Sequence, residues 1–427
     1  MTSIATSDYS LPAAMVAPRV AGLQRLLMWL IGFSGAIVFI EPSPYEVATL
    51  LAIVVMVSTG LRIRLALMPL IVLLFVINIG YSICAANLMG DSKIVNWILT
   101  SWYMAITVIF FAMVVSEDTG ARLDFLRRGL IFGALIASIA GIVGYFSLLP
   151  DTHQLFTLYE RAMGPFKDPN VFSAYLILPA LFVLQSVVSD RFGKSMFSAI
   201  LLGIIALALL LAFSRAAWGQ LVLTSAFMLM LMVMTSQSNK QRSRIIATAI
   251  IAAVVAAALL AVLLSFSSID SLFKQRASFD QSYDEGRFGR FGRHLLGAQM
   301  ALDLPFGIGP LQFRTYFPED THNSYLNAFM SGGWISGVCY PALVFTTVLL
   351  GFRYLFVRVP WQRAYIAIFS AFLGTVGESF IIDTDHWRHY WLMMGLMWGM
   401  FIAAQRHMMT VGKTPAPDHS QQLPVRA

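Results

Sequence analysis

The sequence predicts an all-α polytopic membrane protein of about twelve transmembrane helices, with a large polar loop between the ninth and tenth. Three observations point to it. The 427 residues are 58% hydrophobic and only 12% charged, about half the charge of an ordinary soluble domain. Apolar runs of span length recur along the whole chain, the pattern of a protein that crosses a bilayer repeatedly. A single long hydrophilic stretch, residues 267–321, interrupts them. Polar loops of that length are uncommon in compact proteins and usually functional.

Taken in order, the apolar runs place spans at 22–40, 44–60, 65–87, 95–115, 129–149, 170–189, 195–213, 216–236, 245–266, 323–352, 362–382 and 388–405. Glu41-Pro42-Ser43-Pro44 leaves the first two short. A membrane domain is therefore expected over 22–407, between mobile cytoplasmic tails at 1–21 and 408–427. A cleavable leader is not expected, because the first apolar run lies far in and lacks a small-residue cleavage site. Within the long loop, His294 to Leu302 reads as an amphipathic helix lying at the interface. Leu304-Pro305-Phe306-Gly307-Ile308-Gly309-Pro310 then reads as a tight turn.

Charge sets the orientation. With the N-terminus inside, 18 of the 29 Lys and Arg fall on inner segments and 11 on outer ones. Apart from Lys93, every outer cation lies in a segment of functional interest, so the long loop reads as extracytoplasmic. The net charge of +7 is scattered among short loops rather than gathered on a soluble face, so nucleic acid is not an expected partner. Cys84 and Cys339 sit in apolar spans without the spacing of a metal site or planned disulfide.

The residue types on the outer face suit an anionic substrate. Gly286-Arg287-Phe288-Gly289-Arg290-Phe291-Gly292-Arg293 follows Asp284-Glu285, and its glycines leave the arginines sterically open. Arginine's planar fork binds phosphate oxygens in pairs; lipid headgroups are the plainer partner for the same run. No Gly-Lys-Ser/Thr follows, so a Walker-type nest is unsupported. Arg215 stands in a minimal turn between two apolar spans, where a charge is expensive unless paired or facing a wet cavity. It either snorkels to the headgroups or meets substrate, and the second reading is favoured. Arg161 and Lys167 are candidate anion binders in a smaller outer loop, while Asp168 or Asn170 suits the cap of the next span, with Pro169 in its first turn.

His322 follows two suitable N-caps, Asp320 and Thr321, which places it in the first turn of the next helix. The positive end of the helix and the nearby arginines both disfavour imidazolium. A neutral imidazole is what a general base requires; the plainer reading is a polar interfacial histidine. Asn323 beside it is an acceptor-side candidate. Asp383-Thr384-Asp385-His386-Trp387-Arg388-His389-Tyr390 forms the last outer loop. Its Asp385, His386 and Arg388 suit supporting or acceptor-side roles, and no spacing matches a metal signature. Trp387 and Tyr390 read as interface anchors. Glu378, inside a span, is expected to pair with a buried donor.

These features together resemble the O-antigen ligase and polymerase superfamily of bacterial envelope glycan enzymes, over nearly the whole chain. The most specific piece is His322-Asn323, nine residues, then Gly333, which matches the family's histidine motif. The family pattern expects glycine three residues later, where this chain has Ser336, with Gly337 next. Gly289-Arg290 ahead of Pro305-Phe306-Gly307-Ile308-Gly309 resembles the family's loop arginine and Pro-Gly turn. Arg290 fits best by spacing, with Arg287 and Arg293 as neighbours. Ser214-Arg215 resembles the second family arginine, and Arg161 to Asn170 the earlier outer motif.

The resemblance implies transfer of a glycan from undecaprenyl diphosphate to an acceptor hydroxyl, with no nucleotide sugar, cofactor or metal. The residues agree with that chemistry: arginines stabilise a diphosphate leaving group, and His322 takes the acceptor proton. The expected activity is an inverting, inner-membrane ligase joining O-antigen to lipid A-core. A polymerase acting on a growing glycan would use the same donor site. A polysaccharide transporter or flippase is the rival from another class, but the chain shows no internal repeat, which two-halves transporters usually carry.

Overall fold

The computed structural model describes residues 18–277 and 286–411. Of the expected tails at 1–21 and 408–427, residues 1–17 and 412–427 lie outside the described residues, as does Asp284-Glu285 ahead of the arginine run; residues 18–21 and 408–411 belong to helices. In chain order the helices are α1 (Pro18–Ser34), α2 (Pro44–Ser58), α3 (Met68–Ala85), α4 (Ser92–Val115), α5 (Thr119–Tyr145), α6 (Thr152–Phe156), α7 (Pro169–Ser189) and α8 (Phe192–Leu211). There follow α9 (Arg215–Thr235), α10 (Asn239–Leu263), α11 (Ser267–Ala277), α12 (Arg290–Asp303), α13 (Ser324–Tyr354), α14 (Gln362–Glu378) and α15 (Arg388–Val411). Sheet among the described residues is one antiparallel pair, β1 (Thr157–Leu158) with β2 (Arg161–Ala162). The chain is an all-α polytopic membrane protein.

Every apolar run read from the sequence is a helix. Among the described residues, eight helices are long and apolar enough to cross a membrane. Three others are shorter: α1 has 17 residues, α2 has 15 and α14 has 17. At 1.5 Å per residue α2 reaches about 22 Å, short of a hydrocarbon core of about 30 Å. Its start is chemically fixed: Pro44 suits the first turn, and the Glu46 carboxylate takes the Ser43 N–H in a capping box. The expected first span overruns α1 because Val38 and Phe39 leave the helix and donate their N–H groups to Pro165 O, at 2.9 and 3.2 Å. At α5 the helix starts earlier than hydropathy suggests. Asp124 ties Arg127 and Arg128 to one another across the first turns, so polar residues extend the helix beyond the apolar run.

The bundle packs α1 on α5, α3 on α13, α4 on α15, α7 on α8 and α9 on α14. Helix α7 is almost wholly enclosed by its neighbours, whereas α10 is almost wholly uncovered and presents its Ile, Val and Leu outward. Contacts between helix ends agree with antiparallel threading. At one end Arg64 pairs with Glu117 at 2.8 Å, and Arg406 reaches Ser116 O at 3.1 Å. At the other end Arg388 pairs with Glu46, Lys167 pairs with Glu41, and the residues around His322 meet the α14–α15 loop. Inside the bundle, Glu378 finds the buried donor the sequence called for. With the Gln220 amide turned to satisfy both neighbours, its nitrogen lies 3.0 Å from Glu378 Oε2.

Trp387 and Tyr390 are not interface anchors. Both are buried, and Tyr390 stacks on Phe372 with ring centres 5.6 Å apart.

Candidate active site

The polar loop is clamped at both ends. Helix α11 lies against the start of α9, where Phe273 stacks on Trp218 at 4.9 Å, one turn from Arg215. Helix α12, slightly longer than the expected amphipathic segment, turns Arg293, Gly297 and Ala301 inward. Ala301, Phe313, Leu326 and Met330 form a small separate core between the loop and α13. Burial of these side chains fixes the loop against the helix that follows His322.

The Pro305–Gly309 turn docks into a break in α13. Ile308 and Gly309 donate to Met330 O at 2.8 and 3.1 Å, and Trp334 N donates to Pro305 O at 2.9 Å. The break falls at Gly332 and Gly333, where Gly333 has φ 61° and ψ −162°. A Cβ at Gly333 would stand 2.4 Å from Pro305 O, so only glycine admits this approach. This is the physical content of the glycine that follows His322-Asn323. The departure at Ser336 is accommodated from the other side: its hydroxyl donates to Ile77 O at 2.7 Å, and Gly80 of α3 provides the space it occupies.

His322 does not lie in the first turn of α13. The cap is Asn323, whose side chain accepts from Leu326 N at 3.0 Å. His322 precedes it in a left-handed backbone conformation, with φ 46°. Asp383, from the loop after α14, holds it there. Its carboxylate accepts the Thr321 hydroxyl at 2.7 Å and the His322 and Asn323 N–H groups, each at 3.0 Å. A tertiary contact thus decides where the helix begins, among three residues that are all competent caps. His294 braces the same segment, its Nε2 lying 2.8 Å from Thr321 O.

The His322 imidazole, about one-third exposed, lies between two carboxylates. Nδ1 is 3.8 Å from Asp383 Oδ2 and Nε2 is 3.9 Å from Glu319 Oε2. Its pKa is held below the usual histidine value, first by burial and then by Arg290, with Arg293 adding to the effect and Glu319 and Asp320 opposing it. The neutral form expected from the sequence is favoured, with desolvation as the leading cause. Burial and the nearby Asp385 carboxylate push Asp383 above the usual carboxylate range, against the donors that favour its charge.

The structure separates the candidate arginines. Arg290 opens α12 close to His322. Arg293 is buried, and its guanidinium donates to Glu319 Oε2 at 2.6 Å and Phe288 O at 2.8 Å, so it braces the loop and orients Glu319. Arg287 is exposed, over the Phe288 ring. A second group gathers at the turn between α8 and α9. Arg161 is buried there, donating to Ala212 O and to Asn170 Oδ1, both at 2.7 Å, just before Arg215 opens α9. Asp168 is the α7 cap, accepting from Asn170 N and Val171 N, while Asn170 serves Arg161 instead. Lys167 and Arg388 are engaged with Glu41 and Glu46. Asp385 and His386 form a separate network with Asn327, at 3.0 and 2.9 Å from Asp385 Oδ2.

Two residues of this centre were not singled out as site residues from the sequence, Asp383 and Glu319. The acidic character of Asp383-Thr384-Asp385 was visible, but nothing in one sequence ties it to a histidine 61 residues earlier.

No curated protein matches the chain. A family model described as O-antigen ligase matches residues 199–340, a segment holding Arg215, Arg287, Arg290, Arg293, His322 and Asn323 and ending within α13. Over that segment the chain is similar to the O-antigen ligase family.

Proposed function

We propose that the protein is a membrane-embedded, inverting glycosyltransferase that moves O-antigen from undecaprenyl diphosphate to a hydroxyl of lipid A-core. The observation that carries this reading is His322, disfavoured as a cation, pinned to Asp383 and set beside Arg290. His322 accepts the proton of the acceptor hydroxyl as that oxygen attacks the anomeric carbon. The bond from this carbon to the diphosphate breaks, and its electron pair leaves with the lipid diphosphate. Arg290 and Arg215 stabilise the developing charge, with Arg287 close enough in sequence to assist. Asp383 stabilises the imidazolium as it forms, the orienting role of a carboxylate beside a catalytic histidine. Arg161 and Arg293 position the two arginine-bearing segments rather than the substrate.

The loop face is assigned to the periplasm of an inner-membrane protein. The excess of Lys and Arg at the opposite helix ends supports this, as does the need to meet a lipid-linked glycan outside the cytoplasm.

A strain lacking the gene tests the reading. Polymer retained on the lipid carrier, with lipid A-core left bare, is expected. Accumulation of single lipid-linked repeats would show a polymerase instead, and unchanged surface glycan would overturn the assignment.

A further inference from the structure

Beside the Thr321–Asp383 contact lies an open cleft of about 380 Å³. Its walls are the start of α4, the turn at Gly309–Phe313, Asp320-Thr321, the first two turns of α13 and the loop before α15. Thr321 and Asp383 belong both to the cleft wall and to the clamp on His322, so a ligand here is contiguous with the base.

The lining has a definite chemical character. Trp97 and Trp387 supply aromatic surface. Asp385, buried to 6% exposure, is held by Asn327 and His386 and forms a prearranged acceptor. Three carboxylates line the cleft against a single ammonium, Lys93, and one of the three, Asp320, is tied to Arg314 at 2.7 Å. Aromatic surface suits the C–H faces of a sugar ring, and fixed acceptors suit its hydroxyls. The same carboxylates repel phosphate, which the arginines attract.

We propose that this cleft is the acceptor subsite and takes a neutral or amino-sugar ring, excluding a phosphorylated one. The proposal rests on the glycan-transfer reading for the word acceptor, but the binding itself does not depend on turnover. The acceptor hydroxyl held in this cleft then lies on the side of the Thr321–Asp383 clamp that borders His322, which takes its proton.

The test is saturation-transfer NMR on the full-length protein in detergent, with methyl β-D-glucopyranoside, methyl β-D-glucosaminide and glucose 6-phosphate as probes. The first two are expected to receive saturation and the phosphate little. Trp97→Ala should weaken binding of the two glycosides by about tenfold, and Trp97→Phe should restore most of it. Thr100→Trp, which fills the cleft without removing a wall, should abolish it. Equal transfer to Trp97→Ala and Thr100→Trp, or preference for the phosphate, overturns the proposal. If the glycosides bind as expected but no glycan moves from a lipid diphosphate donor, the transferase reading fails while the subsite stands.

Discussion

Asp383→Asn isolates the clamp on His322. The Thr321 hydroxyl and the Asn323 N–H both rest on Oδ1, and the His322 N–H rests on Oδ2. An Asn carbonyl can keep the first pair, but its NH₂ then faces the His322 N–H, donor against donor. One charge-assisted hydrogen bond is lost, about 1.5–3 kcal/mol. The Asp383 side chain retains 26% exposure, so water offsets part of the loss and the lower end, about 1.5 kcal/mol, applies. The left-handed backbone of His322 costs about 1–2 kcal/mol by itself. The two are comparable, so the segment is expected to relax and the imidazole to leave its place. Transfer should fall by at least about tenfold, with faster hydrogen exchange confined to residues 321–324 and little change in melting. Wild-type exchange at these amides together with wild-type turnover would refute the clamp.

Other consequences concern the loop, the titration and the donor. Gly333→Ala places a Cβ against Pro305 O in a glycine-only conformation. It should destabilise the docked turn by about 3 kcal/mol or more, seen as protease cleavage within the loop. Glu319→Gln removes a charge that raises the His322 pKa. A histidine acting as the proposed base works only when neutral, so activity is expected to fall as pH drops through its pKa, below the ordinary 6.5. In Glu319→Gln that acid limb should move to still lower pH, and a shift upward would contradict the electrostatic reading. Arg215→Ala should abolish transfer in a folded, inserted protein, with partial rescue in Arg215→Lys, because an ammonium lacks the planar fork. Wild-type turnover in Arg215→Ala would remove it from the diphosphate site.

The helical framework was legible because bilayer thickness sets the length of an apolar run, and that signal survives without tertiary information. Where it erred, at α1 and α5, local hydrogen bonds or ion pairs decided the ends. The site was legible as residue types on one face. Its geometry was not, because Asp320, Thr321 and Asn323 are equally good caps by local chemistry, and Asp383 settles the choice from another loop. The arginines illustrate the same limit: Arg290 and Arg293 are three residues apart, yet the fold turns Arg293 onto Glu319 and buries it. The glycine rule fared better. Gly333 was tied to the histidine motif by spacing, and the break in α13 supplies its reason.

The central claim is that His322 is the base and the arginines hold the donor. Transfer rate against pH in His322→Asn, with binding of the lipid diphosphate measured separately, tests it most directly. The account predicts a loss of about a hundredfold or more in rate, with donor binding close to wild type. Near-normal turnover would show that His322 only positions the acceptor, and a collapse of donor binding would place it in the diphosphate site.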